Sequence, residues 1–252
     1  MRILTFRLLV IGAAMLAAPI TSAPAFAGTE VSPIMLQLTT SARVATVTLR
    51  NGDNRPAKFV AEVKERTQAD DQSEILADTQ DLLINPPIAL VPPGKAQLFR
   101  VALRHPLPPG AERAYRVIVT DVTPASPDTA ASAGGGVSVA VRLSHMIPLY
   151  VLTAAGGKPA LSIAKCVSPE VGQFCVRVLN TGQVHAQIRS VSFRSGGWSA
   201  IAQQRGTVLA SGLLRFVVPR PTSLKNTGPF VVTVDVDGQT SPLTATFDGA
   251  PN

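Results

Sequence analysis

The sequence predicts an all-β protein made of two immunoglobulin-like β-sandwich domains. Three observations carry that expectation. Beyond residue 27 no apolar pattern with the helical period is sustained, while short β-branched runs broken by Gly, Pro, Asn and Asp recur to the end. The first series supplies seven strands in about 120 residues, the size of one immunoglobulin-like sandwich. After "LTAAGGKPA" (152–160) the pattern restarts, and the remaining residues are again enough for one sandwich. The predicted division is therefore 28–153 and 154–252, behind a leader at 1–27.

The first series reads as strands at 31–38 ("VSPIMLQL"), 43–50 ("RVATVTLR"), 56–66 ("PAKFVAEVKER"), 81–91, 95–103 ("KAQLFRVAL"), 114–122 ("AYRVIVTDV") and 137–151. Tyr115 stands where such sandwiches carry a corner tyrosine, a place an ordinary core tyrosine fills equally well. The seventh run follows Gly134, Gly135 and Gly136, which impose little backbone preference. It sets Val137, Val139, Val141 and Leu143 on one face and Ser138, Ala140 and Arg142 on the other. On periodicity alone, that aliphatic row is the inward face of a closed sandwich.

The second series reads as strands at 160–167, 173–180, 184–194, 206–218, 229–236 and 241–247. "VTLRNGDNRPAKFVAEV" and "VRVLNTGQVHAQIRSV" echo each other, each with an Asn (Asn51, Asn180) in a polar turn between two strands. The stretch "TQADDQSE" (67–74), with its paired Asp70 and Asp71, reads as a solvated loop.

Residues 1–27 have the form of a secretory signal. Arg2 and Arg7 precede the apolar stretch from Leu8 to Ala18, and "APAFA" ends in small residues, so cleavage is expected after Ala27. Pro19 and Pro24 interrupt a segment already short for a membrane span, so no stable insertion is expected. Without Arg2 and Arg7, 21 basic residues stand against 16 acidic ones, a net charge of +5. That charge is dispersed and has one Trp and two Tyr to accompany it, which argues against nucleic-acid binding. Cys166 and Cys175, with eight residues between them in an exported chain, are expected to form a structural disulfide.

No catalytic or metal motif is present. The chain lacks a G-x-S-x-G elbow, an H-E-x-x-H pair and a phosphate-binding P-loop. His105, His145 and His185 are evenly spaced, but "LRHPLP", "LSHMIP" and "QVHAQI" share no context. No enzyme activity, cofactor or metal is expected.

Taken in order, "VSPIMLQLTTSARVATVTLRNGDNRPAKFVAEVKERTQ", "LLINPPIALVPPGKAQLFRVAL", "ERAYRVIVTDV", the strand from 137 and "VLNTGQVHAQI" resemble the periplasmic pilus chaperones of the chaperone–usher family. The match is nearest to the archaic branch associated with spore-coat-protein-U-like subunits. That resemblance implies two immunoglobulin-like domains in a boomerang and residence in the periplasm. It also implies two partners, a pilus or fimbrial subunit and an outer-membrane usher. The chaperone lends the last strand of its first domain to a subunit that lacks one. An inserted strand supplies main-chain hydrogen bonds, and its alternate side chains fill the subunit's groove. Val137, Val139, Val141 and Leu143 would be that row, worth on the order of 6–12 kcal/mol before the costs of binding.

The family's better-known members hold the subunit's C-terminal carboxylate with an Arg on the first strand and a Lys on the seventh. Those positions are Gln37 and Pro148 here, so neither cation is present. A buried carboxylate still needs charged donors. Arg100, Arg116 and Arg142 are the candidates on neighbouring strands. Two rival readings are a structural pilus or surface subunit and an exported ligand-binding module. A subunit should be one incomplete domain, and a ligand module would use more aromatic side chains.

Overall fold

The computed structural model describes residues 28–69, 71–124, 142–153, 156–168, 170, 172–221 and 228–248. Ten strands lie before residue 153: β1 (Thr29–Ser32), β2 (Leu36–Thr39), β3 (Val44–Asn51), β4 (Ala57–Gln68), β5 (Glu74–Asp78), β6 (Leu82–Asn85), β7 (Ile88–Val91), β8 (Ala96–Leu103), β9 (Arg113–Asp121) and β10 (Ser144–Leu152). Eight follow: β11 (Leu161–Lys165), β12 (Gln173–Asn180), β13 (Ala186–Ser195), β14 (Trp198–Ile201), β15 (Gly206–Val208), β16 (Leu213–Pro219), β17 (Phe230–Val236) and β18 (Leu243–Phe247). Each set makes two sheets packed face to face. The first domain pairs its strands as β1-β3-β8-β6 against β2-β10-β9-β4-β5, with β7 also on β4. The second pairs them as β11-β12-β16 against β14-β13-β17-β18, with β15 also on β13.

Strand alternation places the cores. In the first domain Leu38, Val47, Leu49, Phe59, Phe99, Val101, Tyr115, Val117, Val119 and Leu149 are fully enclosed. Phe193, Phe216, Phe230, Ile188, Val176 and Val232 do the same in the second. Tyr115 donates to the Asp81 carboxylate at 2.6 Å, a partner on the strand approach 34 residues upstream, not to nearby backbone. Burial and that bond push its phenol far above the usual range.

Four readings of the sequence are corrected by the pairing. The run 31–38 is two strands, because Pro33 has no N–H to offer a ladder and the chain leaves one sheet as β1 and joins the other as β2. Pro86 and Pro87 divide 81–91 in the same way, and β6 and β7 lie in opposite sheets. The run 206–218 is divided at Leu209–Gly212 into β15 and β16. The supposed loop 67–74 is only a hairpin tip: Thr67 and Gln68 still belong to β4, and Glu74 opens β5. Beyond these, β14 was not foreseen; it pairs with the end of β13 across the glycines at 196 and 197.

The echo between Asn51 and Asn180 is a shared device. Each is the buried last residue of its strand. Asn51 accepts from the Asp53 amide and donates to the carbonyls of Arg55 and Val91. Asn180 accepts from the Gly182 amide and donates to the carbonyls of Val184 and Leu209. Residues i+2 and i+4 are served identically, so one amide side chain closes the corresponding turn in both domains.

Cys166 and Cys175 are joined, with Cα atoms 5.2 Å apart, across the end of the β11–β12 pair. Thiol titration of the unfolded, unreduced protein is expected to find no reactive thiol. Reduction should cost the second domain about 2–3 kcal/mol, read as a drop in its denaturant midpoint.

Candidate functional site

The site begins at an incomplete edge. β10 is bonded along its whole length to β9, from Ser144 opposite Thr120 to Val151 opposite Arg113. On its other side β2 covers only Leu149 to Leu152, in parallel register. Among the described residues, no strand pairs with that other edge from Ser144 to Pro148. Leu143 continues the β9 side, its carbonyl accepting from the Asp121 amide at 2.9 Å. Apolar side chains surround the bare stretch: Leu143 and Met146 are about half exposed, as is Met35, the neighbour of the first β2 residue.

Along β10, Ile147, Leu149 and Val151 point into the domain's core. Strand parity puts His145 and Leu143 on that same side, yet Leu143 is 48% exposed. Val137, Val139 and Val141 would extend the same row, and they lie outside the described residues, as does most of the glycine-rich approach. The predicted strand 137–151 is therefore described only as Ser144–Leu152.

His145 has an enclosed Nε2 without a hydrogen-bond partner among the described residues, and burial lowers its pKa. A histidine depressed in the folded state binds its proton more readily when unfolded, so acid favours unfolding as pH falls through the ordinary histidine range, about 6.5. His145→Gln is expected to flatten the stability–pH curve of the first domain between about pH 7 and 5, measured by denaturant midpoints.

The three predicted cations occupy different places. Arg100 is exposed on the outer face of β8, in the sheet that does not contain β10. Arg142 is exposed in the coil leading into β10. Arg116 faces outward from β9, directly opposite Pro148. Gln37 is exposed opposite Tyr150, two positions further along β10.

A fourth cation, which sequence reasoning missed, joins Arg116. Arg66 lies on β4 on the same outer face, its side chain only 10% exposed. Both guanidiniums converge on one Glu74 oxygen, Arg116 at 2.9 Å through Nε and 2.7 Å through Nη2. The Arg66 Nε is ion-paired with that oxygen but lacks the alignment of a hydrogen bond, and its Nη1 is 3.5 Å from the Tyr150 hydroxyl. Two cations thus share one carboxylate beside β10. The neighbouring cations are spent: Arg113 bonds Glu65 and Asp81, and Lys64 bonds Asp78 and Glu62. Register was the missing signal, since Arg66 is 50 residues from Arg116 in sequence and falls beside it only once β4 and β9 are aligned.

Arg66 also lines a cleft of about 290 Å³ between the domains, walled by Glu65–Gln68, Glu112–Ala114 and Leu209–Gly212. The domains are pinned around it. The Glu112 carboxylate, nearly enclosed, accepts from the His185 amide at 3.2 Å and meets the ring Nδ1 at 2.8 Å. That imidazole stacks on Tyr150, with ring centroids 3.8 Å apart and planes 12° from parallel. Gln68 donates to the Thr207 carbonyl and accepts from the Leu209 amide. Since Tyr150 belongs to β10, the incomplete edge and the second domain share a residue. No group of three or more His, Cys, Asp or Glu suited to a metal occurs among the described residues.

Comparisons fit this geometry. Residues 28–151 match the family described as pili and flagellar-assembly chaperone, PapD N-terminal domain. No curated protein sequence matches the chain. Among solved structures, the chain is similar to one in the CsuC–CsuE chaperone–tip adhesion subunit pre-assembly complex from archaic chaperone–usher Csu pili of Acinetobacter baumannii, at 19% identity and a TM-score of 0.62, over 87% of this chain and 98% of that one. It is similar also to the YadV chaperone (15%, TM-score 0.58, 87% and 99%) and to a chain of the Salmonella enterica SafA pilin–SafB chaperone complex (14%, 0.57, 90% and 98%). At such identities the likeness is one of fold, and it extends over both domains.

Proposed function

We propose that this chain, whose first domain matches the pilus-chaperone family over residues 28–151, is a periplasmic chaperone that captures a secreted pilus subunit by lending it a strand. The observation that carries the reading is the edge of β10 from Ser144 to Pro148, bonded to β9 on one side and, among the described residues, unpaired and apolar-flanked on the other. A subunit lacking its final strand exposes apolar core and two unpaired edges. The β10 edge and the row Val137, Val139, Val141 and Leu143 supply what it lacks. The subunit is of the spore-coat-protein-U-like kind and the chaperone of the archaic branch. The likeness to a chain of the archaic Csu pre-assembly complex supports the branch, the sequence resemblance supports the kind of subunit, and an outer-membrane usher then receives the loaded pair. Cleavage after Ala27 frees the mature chain.

Arg116, with Arg66 beside it, anchors the subunit's terminal carboxylate. Arg116 is level with Pro148, where the family's missing lysine would stand, and Arg66 beside it shares its carboxylate and lines the cleft. Arg100 lies in the other sheet and Arg142 in the coil before β10, so neither shares a carboxylate with Arg116 in the way Arg66 does. The deciding experiment is co-expression with candidate subunits and purification from the periplasm. A one-to-one complex is expected, whereas polymers of the chain would mark it as a subunit and an isolated monomer as a ligand-binding module. Arg66→Gln with Arg116→Gln is expected to weaken subunit retention by about 10- to 100-fold, the worth of one or two charge-assisted bonds.

A further inference from the structure

The excess positive charge of the chain is confined to one domain. Residues 28–153 carry twelve basic and twelve acidic side chains, whereas residues 154–252 carry nine basic and four acidic. Several of those nine have clear occupations. Arg189 is held by Asp237, Lys165 donates to the Asp248 carbonyl, and Arg220 lies over the Phe174 ring.

Arg177 and Arg215 differ. They stand directly opposite each other on β12 and β16. Their neighbours Val176, Val178, Leu214 and Phe216 are buried in the core, so the two guanidiniums share the outer face of that sheet. Like charges in direct cross-strand opposition destabilise a sheet. Among the described residues, Asp71 at the tip of the β4–β5 hairpin lies near Arg215, and its carboxyl is held low chiefly by Ser73 and least by Arg215. Gln72 of the same tip, with a left-handed φ of 73°, accepts from the Arg215 amide at 2.5 Å and so fixes one border of the face. On the other border, Ala164 is opposite Arg177 and Ser162 opposite Leu179, small side chains that leave the arginines uncovered. Leu179 and Leu213, also paired and half-buried, add an apolar flank.

We infer that this face, centred on Arg177 and Arg215, docks an acidic segment of a second protein partner. Two guanidinium forks one strand apart match carboxylates in geometry as well as in charge. The inference rests on the reading that the subunit occupies β10 of the first domain, because the outer face of β12 and β16 then stays open in the loaded complex. Its occupant is a protein that handles the loaded chaperone, and the absence of exposed aromatic anchors among the described residues disfavours a lipid surface.

The test uses the full mature chain with two probes, a fluorescent oligoglutamate peptide and phosphatidylglycerol vesicles. Arg177→Gln with Arg215→Gln is expected to weaken peptide binding by about tenfold or more at low ionic strength. The melting temperature should hold or rise, since a repulsive pair is gone. A control, Arg194→Gln with Arg205→Gln, removes the same charge elsewhere in the domain and should lose less than about threefold. Equal losses from both pairs, or none from either, overturn the inference. So does tighter binding to the vesicles than to the peptide that depends on Arg177 and Arg215. Subunit co-purification is expected to be intact in both variants, which separates failure here from failure of the capture reading.

Discussion

Val141→Asp combined with Leu143→Asp is expected to abolish recovery of the subunit with the chaperone, while the chaperone's melting temperature moves by no more than about 2 °C. Each carboxylate would have to enter an apolar groove without a partner, a loss of about 4 kcal/mol or more for the two, or a thousandfold in affinity. The chaperone itself escapes that cost. Leu143 is half exposed although it lies on the inward side of β10, so an aspartate there remains hydrated in the free protein. The readout is the periplasmic yield of subunit alongside the melting curve of the purified chaperone. A variant that fails to fold would assign the row to the chaperone's own core, and a variant that keeps its subunit would place the binding strand elsewhere.

Asn180→Ala is expected to cost the second domain about 3–4 kcal/mol, or roughly 10–20 °C in melting temperature for a domain of that size. The side chain is 1% exposed. It also accepts from the Ala160 amide at 3.1 Å, beyond the bonds it shares in kind with Asn51. Truncation therefore removes the partner of the Gly182 and Ala160 amides and of the Val184 carbonyl, while the Leu209 carbonyl keeps the Gly212 amide. Asn51→Ala should do the same to the first domain at slightly lower cost, because it serves one fewer amide. Separate calorimetric transitions would report which domain has been weakened. Loss under about 1 kcal/mol in both would mean that water replaces the amide, contrary to the burial seen here.

Period-2 patterning was enough to read the fold class and the restart after residue 153, because apolar alternation is a local property and the core rows follow it: Phe59 and Ala61 on β4, Val117 and Val119 on β9, Val232 and Val234 on β17. Partnership was harder. A run such as 31–38 keeps its alternation through Pro33, and only the pairing reveals that its halves belong to opposite sheets. The same limit hid the site. The bare edge of β10 is defined by where β2 stops, and Arg66 becomes a neighbour of Arg116 through the register of two strands separated by β5 to β8 in the chain. Asn51 and Asn180 lie between these extremes: their turns are visible as sequence, but the strand carbonyls they reach are 40 and 29 residues away. The spacing of the histidines had no structural meaning, since His105 meets Asp81, His185 meets Glu112, and His145 has no such partner.

The unequal bonding of β10 gives the strand the mechanics of a cantilever. Its C-terminal half is clamped between two ladders and braced through the Tyr150 ring against the second domain, while its N-terminal half hangs from β9 alone. Thermal opening of the free half breaks one ladder and leaves Leu149, Val151 and the clamp undisturbed, so amide exchange should quicken steadily from Leu152 back to Ser144. A load applied at the free end, as when an incoming strand peels the cargo away, is then dissipated before it reaches the core.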